Sequence, residues 1–206
     1  LAAMDEFYKL TGRRYGLIST YEMDDAEYAI VGMGSMIETA EAAVDHLRKE
    51  NNIKVGIIHV TSFRPFPGKQ LTETLQRVRA ISVLERMDNP LAESNPLTIE
   101  IKAALADYIQ RDKTGNMKIP KIYSGSAGLG SRDVRPDDII AVVENMIKDK
   151  KKYFAIGIDH ELGLPVKEST DIRPEGTFSM RGHSVGGYGS VTTNKVIATI
   201  VADLFD

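Results

Sequence analysis

Apolar and polar positions alternate between short unbroken runs and helical stripes. Residues 28–33 form a compact apolar run that predicts a strand. Ile37, Ala40, Val44 and Leu47 follow at helical spacing, with Arg48 and Lys49 suited to the negative carboxyl end of the helix. Ser35 and Glu38 stand three apart, the spacing of a capping box, and predict that helix's start. Residues 54–60 read as a second strand, apolar on both faces as in a covered parallel sheet. A short helix with Leu71, Leu75 and Val78 leads to a third strand at 80–84, and Pro96 opens a longer helix that turns Leu97, Ile101, Leu105 and Tyr108 inward. Residues 119–123 predict a fourth strand, 124–133 a glycine-rich loop, and Pro136 with Asp137 and Asp138 the start of a helix buried through Ile139, Val142, Val143 and Met146. A fifth strand is expected at 154–158.

Strands and helices in this order, joined by short connections, predict an α/β three-layer domain with a mainly parallel sheet over residues 25–160. Residues 1–24 read as an N-terminal extension or linker from a preceding domain. They hold Met4, Phe7, Tyr8 and Leu10 at helical spacing. The polar, proline-bearing stretch 161–176 reads as a linker. Residues 177–206 read as one βα unit, with strand 177–180, a glycine loop and a helix bearing Ile197, Ile200, Val201 and Leu204 on one face. That unit is too small to bury a core of its own and is expected to begin a truncated next domain. The chain starts at Leu1 and stops behind an apolar stripe, so both ends read as cut.

Composition narrows the function classes. The 206 residues carry 26 Lys and Arg against 29 Asp and Glu, a balance of -3 that offers no basic field for nucleic acid. There is no cysteine, so neither a thiolate nucleophile nor cysteine ligation of an iron–sulfur cluster is available within these residues. No apolar run reaches the roughly 20 residues of a membrane-spanning helix, and a cytoplasmic location is expected.

The segment from Gly32 to Ile37 sits where a dinucleotide fingerprint would, but its third glycine position is Ile37 and no acid ends the second strand. It therefore reads as a tight strand-to-helix turn. Arg64 and Arg132 stand in loops at the carboxyl edge of the sheet and could hold a phosphate or carboxylate, against the simpler reading of solvated side chains. The four histidines, His46, His59, His160 and His183, lack metal-pair spacing, and no metal site is expected. His46 reads as solvated and His59 as a hydrogen-bonded strand residue. Asp24 with Asp25 and Asp137 with Asp138 read as turn and helix-start charges, so no catalytic residue is assigned. Arg181, Gly182, His183, Gly186, Gly187 and Gly189 form the most suggestive segment. Glycines before a helix start let backbone amides approach an anion, and close packing of helix on strand is the alternative.

The order of these segments resembles an internal portion of the pyruvate:ferredoxin (flavodoxin) oxidoreductases, within the wider 2-oxoacid:ferredoxin oxidoreductase family. Val31-Gly32-Met33-Gly34-Ser35, Arg64-Pro65-Phe66, Val83-Leu84-Glu85-Arg86 and Tyr123 with Gly128-Leu129-Gly130-Ser131-Arg132-Asp133 carry the likeness over about residues 1–165. They look like the family's second domain, which is similar in fold to the transketolase C-terminal domain. The stretch from Phe178 looks like the start of the gamma domain, although Arg181-Gly182-His183-Ser184-Val185 departs from the commoner pyruvate-enzyme form, leaving the 2-oxoacid open.

The resemblance implies oxidative decarboxylation of a 2-oxoacid, with pyruvate the foremost choice, to an acyl-CoA with electrons passed to ferredoxin or flavodoxin. The parent family uses thiamine diphosphate, Mg2+ and iron–sulfur clusters, with coenzyme A as co-substrate. No cofactor is expected in this portion alone. Its implied work is structure and assembly with the remaining domains or subunits in an oligomer, with a candidate coenzyme A or anion loop at Arg181, Gly182, His183, Gly186, Gly187 and Gly189. Two other readings stay open: a non-catalytic phosphate-ligand or partner-binding module, and a component of a transketolase-like thiamine enzyme.

Overall fold

The computed structural model describes residues 2–112, 118–166, 172, 183 and 189–205. The chain divides into two compact units, Leu1–Ile172 and Arg173–Asp206. In the first, α1 (Ala2–Thr11) and β1 (Ile18–Tyr21) precede β2 (Tyr28–Gly32), α2 (Met36–Asn51), β3 (Val55–Val60) and α3 (Gly68–Thr74). There follow β4 (Ala80–Glu85), α4 (Pro96–Arg111), β5 (Lys121–Ser126), α5 (Pro136–Ile147) and β6 (Tyr153–Ala155). The second unit's described helix is α6 (Ser190–Phe205).

The six strands pair in the order β1-β3-β2-β4-β5-β6. All neighbours are parallel except β1, which runs antiparallel on β3 with Ile18 opposite Val60. The expected α/β class and mainly parallel sheet are therefore present. The strand β1 was not anticipated: its four residues lie on an edge, only half-covered, and carry too few apolar positions to stand out.

Two apolar layers sandwich the sheet. Ile37, Ala40, Val44 and Leu47 of α2 join Ile139, Val142, Val143 and Met146 of α5 on one face. Leu71 of α3 and Leu97, Ile101 and Leu105 of α4 cover the other. This division fixes an unusual crossover. A β-helix-β connection between parallel strands is almost always right-handed, so connections running in opposite directions along the sheet place their helices on opposite faces. The α3, α4 and α5 connections all run toward β6 and α2 runs the other way, yet α5 lies on the α2 face. The β5-α5-β6 unit thus has the opposite hand to the other three. Beyond α4, no described helix covers the second face over β5 and β6.

Three local expectations need correction. Ser35 adopts helical angles and makes no side-chain capping bond. The turn is held instead by Gly34, at φ +78°, whose carbonyl accepts Ile37 N–H at 3.1 Å. The fourth strand runs to Ser126, because Ser124-Gly125-Ser126 finds ladder partners on both sides, in β4 and β6, although it reads as loop. Conversely β6 stops at Ala155, where the chain turns back: Ala155 N–H donates to Leu162 O and Leu164 N–H to Ala155 O, which buries Leu164.

Candidate functional site

Ligands of doubly wound sheets collect outside the carboxyl ends of the strands. At the end of β2, His59 Nε2 accepts the Gly34 N–H at 3.2 Å. A side chain at Gly32 would meet Ile37 Cδ1 at 2.6 Å and Leu84 O at 3.1 Å. Glycine there lets α2 pack onto its strand, as the tight-turn reading requires, and His59 is the hydrogen-bonded strand residue expected.

The densest polar cluster stands at the ends of β4 and β5. Glu85 is buried, and its carboxylate accepts Leu97 N–H at 2.6 Å, Thr98 N–H at 3.0 Å and the Thr98 hydroxyl at 3.0 Å. The Thr98 proton is thereby used, so the contact of 3.2 Å between Thr98 Oγ1 and Ser124 Oγ is donated by Ser124. Asn95, the residue before α4, turns its amide inward instead of capping: Nδ2 donates to Met87 O and Ser126 Oγ, while Oδ1 accepts Asn89 N–H. Ser126 Oγ in turn donates to Asp88 at 2.9 Å. The network ties the 86–95 loop to the sheet and satisfies polar groups that would be costly if left unpaired. Glu85 was noticed as part of a motif, but its capping role joins residues twelve apart and no local rule finds it.

Beside this network lies a cavity of about 540 Å3, lined by Asp88, Glu93, Ser124, Ser126, Tyr153 and His160 among others. Its floor is the face of β5 and β6 that α5 leaves uncovered, since Ser124, Ser126, Tyr153 and Ala155 share the α4 side. His160 Nδ1 accepts Leu162 N–H at 3.2 Å. Among the described residues no three His, Asp or Glu side chains converge as metal ligands.

The remaining expected residues scatter. Arg64 pairs with Glu100 of α4 at 2.6 Å and lies 4.3 Å from the centre of the Phe63 ring, so its charge is already engaged. Arg132 lines a separate hollow of about 450 Å3 at the start of α5, with Arg135, Asp133, Asp137 and Asp138. Three carboxylates and a second guanidinium share that hollow with it. Asp138 caps Arg135 N–H at 2.8 Å, and burial pushes its carboxyl above the usual range. Asp25 is held below that range by the Arg48 guanidinium. Both agree with the turn and helix-start readings. His46 is half-buried rather than fully solvated.

Arg181, Gly182, Gly186 and Gly187 lie outside the described residues. His183 is exposed. Gly189, at φ +71°, accepts Thr193 N–H at 3.1 Å at the head of α6. Ile197, Ile200, Val201 and Leu204 of α6 are exposed.

Comparison with known proteins identifies the chemistry this scaffold accompanies elsewhere. The sequence profile "Pyruvate:ferredoxin oxidoreductase core domain II" matches residues 26–139. The pyruvate:ferredoxin oxidoreductase of Moorella thermoacetica is 34% identical over 98% of this chain, and this chain spans 17% of that protein. The probable pyruvate-flavodoxin oxidoreductase of Escherichia coli is 34% identical over 94% of this chain, which spans 16% of it. The pyruvate synthase subunit PorA of Thermotoga maritima is 36% identical over 73% of this chain and is spanned to 37%. Among solved structures, the 2-oxoglutarate:ferredoxin oxidoreductase of Magnetococcus marinus aligns over 64% of this chain and 20% of its own, with 18% identity and a TM-score of 0.41. A split-gene transketolase aligns over 68% of this chain and 46% of its own, with 16% identity and a TM-score of 0.46. Likenesses this low add nothing to the topology described above.

Proposed function

This chain belongs to the pyruvate:ferredoxin oxidoreductase family, and from that premise we propose that it is a structural and assembly portion of an enzyme that oxidatively decarboxylates a 2-oxoacid, pyruvate foremost, to an acyl-CoA. The observation that carries this reading is the alignment of nearly the whole chain to about a sixth of each long relative. Ferredoxin or flavodoxin takes the electrons in this reading, through the remaining domains or subunits of a cytoplasmic oligomer.

The division of labour follows from donor chemistry. With no cysteine in 206 residues, the chain does not fit cysteine-held iron–sulfur clusters, and electron transfer is assigned to other parts. Thiamine diphosphate and Mg2+ likewise belong to other domains in this reading, and no catalytic step is assigned to residues 25–160. The segment 177–206 extends into the next domain in this reading. There Arg181, Gly182, His183, Gly186, Gly187 and Gly189 offer amides and a helix start to a coenzyme A phosphate or another anion. The exposed stripe of α6 becomes covered in the assembled enzyme, since its side chains are each worth roughly 1.5–3 kcal/mol on full burial.

An antibody against this chain tests the proposal. Immunoprecipitation from its native cells should recover coenzyme A-dependent reduction of methyl viologen by pyruvate, while the purified 206-residue chain, supplied with thiamine diphosphate, Mg2+ and coenzyme A, should show none. Turnover by the isolated chain, or a precipitate without 2-oxoacid-dependent activity, would overturn it.

A further inference from the structure

Among the described residues, the reversed crossover of α5 leaves the α4 face of β5 and β6 without a helix, and the cavity of about 540 Å3 occupies that place. Its walls are mostly apolar, including Leu129, Ala155, Ile158 and Leu162. Two carboxylates stand on it, Asp88 and Glu93, and neither has a described cation within 4.0 Å. The nearby ammonium groups are otherwise engaged: Lys102 donates to Ser94 Oγ, and Lys152 lies 5.1 Å from the centre of the Tyr153 ring. Leu162 of the lining is exposed, and so is Leu91, at 99%, in the chain between the lining residues Pro90 and Ala92. The absence of three converging ligands among the described residues argues against a bare metal ion.

We propose that this cleft is a docking site for a segment of another polypeptide that presents an arginine between apolar side chains. The guanidinium enters the cleft toward Asp88 and Glu93, because its planar fork can serve two carboxylates while its stem lies on apolar wall. The flanking apolar side chains cover Leu91 and Leu162, which a small free cation could not do. The partner completes the layer of the sandwich that the crossover omits. Charge sets the orientation of the segment, and apolar burial supplies much of the affinity.

The probe is the blocked tripeptide acetyl-Leu-Arg-Leu-amide, titrated into the full chain at neutral pH while backbone amide resonances are followed. Saturable shifts are expected at Asn95, Ser124, Ser126 and Tyr153. The peptide with citrulline in place of arginine, equal in shape but uncharged, should bind about tenfold more weakly or worse. The double variant Asp88→Asn/Glu93→Gln should lose that preference. Leu91→Ser, which disturbs no hydrogen bond of the network, should weaken the tripeptide and leave agmatine unchanged. Equal binding of the citrulline peptide removes the role of charge, equal binding of agmatine makes the cleft a small-cation site, and no shift around the cleft removes the site; each overturns the proposal. If the double variant fails to fold, the citrulline and Leu91→Ser comparisons still decide.

Discussion

The carboxylate of Glu85 accepts the backbone N–H of Leu97 at 2.6 Å, so the first turn of α4 is capped from the end of β4 and not by Asn95, the residue that precedes it. Strand end and helix start are thereby locked together where the sheet's carboxyl edge meets the cleft, and Asn95 is released to hold the 86–95 loop.

Glu85→Ala should be among the most damaging single changes in the first unit. It strands two backbone donors and the Thr98 hydroxyl in a buried place, for a loss of about 3 kcal/mol or more. Thr98→Val, which removes only the hydroxyl, should cost about 1 kcal/mol. Urea unfolding of both variants measures the difference; a loss below about 1 kcal/mol for Glu85→Ala would show that the cap does not support α4.

Asp149 makes the opposite kind of contribution, exposed and charged. It bonds both Lys121 and the Tyr123 hydroxyl, and these contacts hold its carboxyl below the ordinary range. A depressed folded-state value gives stability that is present above the ordinary carboxyl range and lost as pH falls through the lower value. Asp149→Asn keeps a residue that tolerates the φ of +50° found there. The variant should melt below the wild type at neutral pH, and the two should converge on acidification. A gap independent of pH would show that the charge is not what matters.

Asp138 carries the reverse sign. Burial raises its carboxyl, so its favourable contribution is complete below the ordinary carboxyl range and lost as pH rises through the raised value. Asp138→Asn retains an oxygen for Arg135 N–H and removes the buried charge. It should therefore melt higher than wild type at neutral pH, with the gain vanishing in acid. Calorimetry at the two pH values checks this, and a lower melting point at neutral pH refutes it.

Arg64→Gln should change stability by less than about 1 kcal/mol, because the Glu100 pair is solvent-exposed on the arginine side. Millimolar inorganic phosphate should leave the melting points of wild type and variant alike unchanged. Selective stabilisation of the wild type by phosphate would restore Arg64 as an anion ligand.

Much of the architecture is legible in one dimension because it is written in local periodicity. The stripe Ile37, Ala40, Val44, Leu47 is buried as read, and so are the apolar runs that became β2, β3 and β4. The edge strand β1 left no such trace, since half of its surface meets solvent and its ladder partner lies some forty residues away in β3. Ser124-Gly125-Ser126 looks like a loop for a related reason: its strand character comes from neighbours on both sides, not from its own propensity. The candidate site shows the same division, with Arg64 conspicuous in sequence and already paired in space, and Glu85 inconspicuous and central.

From sequence alone come the elements, their α/β order, the parallel sheet and the family resemblance, because these rest on side-chain period, turn chemistry and motif order. Tertiary structure alone decides the hand of the α5 crossover, the capping of α4 by Glu85 and the cleft over β5 and β6. Each of those depends on which face a helix chooses and which distant backbone groups then need a partner, and such long-range choices leave little mark on any short window of residues.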